Sequence, residues 1–69
     1  MNLIEGIQAE CTRLRDVVIP QYEDPRLNGA GAFAIAMMRG EIAEGEASIA
    51  SGDVVRMVRA LATLKDSGR

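Results

Sequence analysis

Gly52 and Asp53 constrain this chain more than any other pair of residues. Glycine closes a helix in the left-handed conformation without a Cβ penalty, and an aspartate directly after it caps the next helix by accepting from its first free N–H groups. A stop and a start in adjacent positions leave no spacer, so the flanking segments are expected to pair as an antiparallel helix hairpin. The apolar spacing predicts one helix over about 32–51 and another over about 54–65. Ile35, Met38, Ile42 and Ile49 form a stripe on the first of these. Ala32, Ala36 and Gly40 make a row of small residues at four-residue steps, and Ala43, Ala47 and Ala50 make a second. On the second helix Val54, Met57, Val58, Leu61 and Leu64 are expected to face inward. Gly40 and Gly45 each cost about 0.5–1 kcal/mol relative to alanine inside a helix. Retaining both implies that a neighbouring helix, or a ligand, comes close to the backbone there.

The N-terminal segment repeats the helical period. Leu3, Ile7, Cys11, Leu14 and Val18 recur at steps of three and four, and Ile4 and Val17 widen the stripe. Asn2, three residues before Glu5, suits an N-cap. Pro20 is expected to end this helix near Val18 and to push Ile19 toward extended geometry. Pro20, Pro25, Gly29 and Gly31 then crowd residues 20–31, which predicts a loop pinned by Tyr22 and Leu27. The reading is one all-α domain over residues 1–66, with helices at about 3–18, 32–51 and 54–65. Residues 67–69 are expected to fray.

Composition narrows what such a unit can be. With 69 residues, one Phe, one Tyr and no Trp, small and aliphatic side chains must build the core, and a chain this short makes a marginal one. Self-association into a larger helical bundle is therefore expected, a dimer being the commonest closed form. A net charge of −2 and an isoelectric point near 4.9 argue against the basic field of a nucleic-acid binder. The 54–65 helix also offers few polar base readers for a helix-turn-helix. The first residues carry no basic leader, and the longest uncharged run, Leu27 to Met38, is shorter than the ~20 residues of a membrane span. A cytosolic chain with a reduced Cys11 is expected.

Catalytic chemistry finds little support. There is no His to serve as the usual base for a Ser or Cys nucleophile, and Cys11 lies on an apolar stripe, where a free cysteine acts as a small hydrophobe. Glu41 and Glu44 share a face and Glu46 does not, with no further oxygen ligands at a recognisable spacing. A solvated helix face is the expectation, with neither metal nor cofactor. Seven of the eight basic residues are arginines, which suit planar contacts to carboxylate or phosphate. Salt bridges between subunits, from arginines such as Arg56 and Arg59 to the acids of the 32–51 helix, are one expectation. An anion pocket is the other: Gly29-Ala30-Gly31 before a helix presents backbone donors at its positive end. Tyr22 and Phe33 flank it as stacking surfaces.

The pattern Tyr22 … Gly31-Ala32-Phe33 … Met38 … Ala50-Ser51-Gly52-Asp53-Val54-Val55 … Met57 … Arg59 … Leu64-Lys65 resembles small accessory proteins encoded by phages and prophages of proteobacteria. Such proteins often antagonise a host process, host defence included, by binding. The resemblance implies a non-catalytic protein of the host cytosol that sequesters a small nucleotide-type signal at subunit interfaces. Tyr22, Arg26, Asn28, Gly29, Gly31, Phe33, Arg39 and Arg56 form the candidate ligand set. The alternative is a protein–protein inhibitor that covers a host factor with an exposed helix face. A small DNA-binding regulator is the third reading.

Overall fold

The computed structural model describes residues 2–68, and of Asn28 the backbone alone. These residues are helical almost throughout: α1 (Leu3–Arg13), a π-helical turn (Leu14–Val18), α2 (Ile19–Tyr22), a 3-10 turn (Pro25–Leu27), α3 (Asn28–Ser51) and α4 (Val54–Asp66). The three expected caps are in place. The Asn2 side chain accepts from the Glu5 N–H at 2.8 Å. Gly52 adopts φ 72°, and the Asp53 carboxylate accepts from the Arg56 N–H.

Pro20 does not end the first helix. The π-helical turn carries the chain past it, with the Ile19 N–H reaching back to the Leu14 carbonyl. Pro20 then falls in the first turn of α2, where a helix has no use for the N–H that proline lacks. Ile19 is accordingly helical, at φ −55° and ψ −45°. The wider turn has a packing consequence, because sequence neighbours Val18 and Ile19 both reach the core.

The expected loop over 20–31 shrinks for a second reason. Asp24 accepts from both the backbone N–H and the guanidinium of Arg26, which tightens the turn, and α3 starts at Asn28 rather than near Ala32. Gly31 permits this. A Cβ there would run into the Tyr22 carbonyl oxygen and meet the Leu27 Cβ at 3.1 Å, so α2 and α3 cross only where the side chain is absent.

The core is formed by Ile7, Cys11, Leu14, Val18 and Ile19 from the N-terminal arm, Met38 and Ile42 from α3, and Met57, Ala60 and Leu64 from α4. Gly45 is the point of closest packing: a Cβ would meet Leu64 at 3.0 Å, Ile7 at 3.1 Å and Cys11 at 3.4 Å. Beside it the buried Ser48 hydroxyl donates to the Gly45 carbonyl at 2.6 Å, which satisfies a polar group that burial would otherwise penalise. Four expected core residues lie outside: Ile4, Val17, Val54 and Val58 are exposed. The α4 contact line runs through Met57, Ala60 and Leu64 instead, which turns Val54 and Val58 away from it.

Ser67 and Gly68, expected to fray, make contacts with the rest of the fold. The Arg13 guanidinium donates to the Leu64 and Ser67 carbonyls, both at 2.9 Å. The Ser67 hydroxyl bonds Glu41, and Gly68 lies against Val18. Arg69 lies outside the described residues. Among the described residues, no helix is long and apolar enough to cross a membrane.

Candidate functional site: a groove between α3 and α4

The α1 residues Ile7 and Cys11 press on Gly45 of α3, and Leu61 of α4 lies over Gly6. One side of the α3–α4 pair is thus covered. Elsewhere the pair is open, as a groove of about 570 Å³ lined by Met37, Gly40, Glu41 and Glu44 of α3, by Asp53 at the turn, and by Val55, Arg56, Arg59, Ala60 and Thr63 of α4. No residue of α1 or α2 contributes to it.

Helical period sets this lining. Met37, Gly40, Glu41 and Glu44 follow one another at steps of one and three, as do Val55, Arg56, Arg59, Ala60 and Thr63, so each group occupies one edge of its helix. Met37 and Val55 are more than half exposed, and at Gly40 a Cβ would meet nothing within 4 Å. These three supply apolar surface and bare backbone to the groove lining. Charge closes one end. The Arg56 guanidinium clasps Glu44 in two parallel bonds of 2.7 and 2.8 Å, which holds the Glu44 carboxyl below the usual range. Arg59 forms no ion pair among the described residues. Chemically the groove suits the burial of an apolar ridge with charged groups along its margins.

The residues expected from sequence to hold a ligand are dispersed. Arg56 lines the groove, and its guanidinium is engaged by Glu44 of the same chain. Tyr22 lines a separate recess of about 270 Å³ with Ala34, Met37, Met38, Glu41, Ser67 and Gly68. Arg26 is bound to Asp24 at 2.6 Å, which lowers the Asp24 pKa. Gly31 is filled by the Tyr22 carbonyl, whereas Gly29 faces open space. Phe33 and Arg39 are exposed on α3, and neither lines the groove. The Asn28 side chain lies outside the described residues. The sequence reading missed Met37 and Val55. Two features bear on them: Gly40, where a close neighbour is expected from sequence and nothing lies within 4 Å of a Cβ, and two charged pairs, Glu41/Glu44 and Arg56/Arg59, that each share a helix face.

Arg15 pairs loosely with Glu46 at 3.6 Å. Cys11 is buried, and burial, with Glu46 nearby, raises its thiol pKa. Among the described residues, no group of three or more acidic, cysteine or histidine side chains is placed to hold a metal ion. Comparison of the chain with protein-family models, curated proteins and solved structures finds no match.

Proposed function

We propose that this chain is a non-catalytic binding protein that inhibits a partner protein by taking an amphipathic helix of that partner into the α3–α4 groove. The observation that carries the reading is the groove itself: two packed helices leave an open channel whose lining includes exposed Met37 and Val55, with Gly40 on its α3 edge and charged side chains along it. A helix presenting an apolar ridge at steps of three and four fits such a channel, and its flanking charges would meet Arg59 on one margin and Glu41 on the other. Two features support α3 and α4 as an antiparallel hairpin framing it. The connection is only Gly52-Asp53, and Glu44 pairs with Arg56 while Glu41 pairs with Ser67. The resemblance to phage accessory proteins directs the search to a host protein of the cytosol, with defence factors first. Self-association belongs to the same proposal, because Phe33 and the alanines of α3 on the side away from Met38 and Ile42 are exposed, and a second copy would add apolar burial to the small core of a short chain.

The test is capture of the host partner by wild type, Val55→Asp, Met37→Asp, Arg26→Ala and Phe33→Ala proteins, each checked for helicity. Loss of the partner with the first two variants and retention with Arg26→Ala supports the groove. Retention by both groove variants refutes it. Native mass spectrometry decides the sequestration reading: added mass in the nucleotide range, lost in Arg26→Ala or Phe33→Ala, would replace a protein partner with a small ligand.

A further inference from the structure

We infer that the outer face of α3 is an antiparallel dimer seam whose occupant is a second copy of this chain; this rests on the self-association proposed above and names its surface. Phe33, Ala36, Gly40, Ala43, Ala47 and Ala50 recur at alternating steps of three and four along α3, and all six are exposed. That is the spacing of a coiled-coil seam, on the side of α3 away from Met38, Ile42 and Gly45. Phe33 is 69% exposed. The 24 residues of α3 extend about 36 Å.

Size and charge both select a second copy in antiparallel orientation. The one bulky seam residue, Phe33, stands at one end, and the other end offers only alanines. An antiparallel pairing of Phe33 with Ala50, Ala36 with Ala47 and Gly40 with Ala43 gives each ring a small-residue bed. A parallel pair would stack the two rings at one end and hold the helices apart. Charges occur at the margins of the seam, not within it. Arg39 and Glu46 occupy the same heptad position, seven residues apart, and in the antiparallel register each Arg39 comes alongside Glu46 of the other copy, twice by symmetry. Arg39 has no ion-pair partner among the described residues, and Glu46 has only the 3.6 Å contact to Arg15.

Sedimentation equilibrium tests this on the full chain. Wild type is expected at twice 7.4 kDa, and Ala43→Glu at the monomer mass with unchanged helicity, since Ala43 is exposed. Arg39→Glu and Glu46→Arg should each weaken the dimer roughly tenfold, and the double variant should restore it. A wild type that remains monomeric overturns self-association and the seam with it. A wild-type dimer that Ala43→Glu leaves intact, or a double variant no tighter than the singles, overturns the seam alone.

Discussion

Three glycines in one helix show how differently the same residue is used. Gly31 and Gly45 stand where another part of the chain comes too close for a Cβ, whereas Gly40 faces open space. Gly45→Ala should therefore destabilise the fold by about 1–3 kcal/mol through overpacking, and Gly40→Ala should stabilise it by about 0.5–1 kcal/mol. Urea denaturation of the two variants checks both signs. Cys11 makes a second residue-scale test. It is 4% exposed and its thiol pKa is raised by burial, so both access and thiolate population oppose reaction. A thiol reagent at neutral pH should leave the folded protein unmodified and label it fully once denatured.

At the scale of elements, the end of α4 is held by a residue of α1. Arg13 donates to two carbonyls there, which satisfies orphan acceptors and places a positive charge at the negative end of the helix. Arg13→Ala should cost about 1–3 kcal/mol and speed hydrogen exchange in the last turn of α4, readable by NMR. The Glu44–Arg56 pair joins α3 to α4 and has a signature in pH. The folded state holds the Glu44 pKa below its unfolded value, so the unfolded state binds more protons as pH falls through the carboxylate range. The contribution is present above the unfolded pKa and is lost as pH falls toward the folded one. Glu44→Gln should flatten the acid limb of a stability–pH curve without altering its neutral plateau shape.

At the scale of the molecule, a small chain spreads a thin core over an elongated body of 39 × 18 × 16 Å while Phe33, Met37, Val54, Val55 and Val58 stay at least half exposed. Burying part of that surface against a second copy would couple stability to concentration. The thermal midpoint of wild type should rise as protein concentration is raised, and that of Ala43→Glu should not move.

Sequence alone determined what depends on near neighbours. The Asn2 and Asp53 caps, the left-handed Gly52, and the core stripe of Ile7, Cys11, Leu14 and Val18 follow from local spacing and side-chain chemistry, and they specify the all-helical character. The tertiary structure decided whatever depends on what lies across the fold. Local chemistry makes Pro20 a stop, because proline disrupts a regular helix, but a π-helical turn absorbs it and buries Val18 and Ile19 together. The freedom of Gly29 and Gly31 is visible in sequence and points to a loop, whereas the Tyr22 carbonyl that requires Gly31 is not. Nothing near Ser67 and Gly68 in the chain predicts their contacts, because Arg13, Glu41 and Val18 are remote in it. The groove belongs to the same class. Period fixes which residues share an edge of α3 or α4, but only the packing of α1 decides which sides of the pair are covered and where the pair stays open.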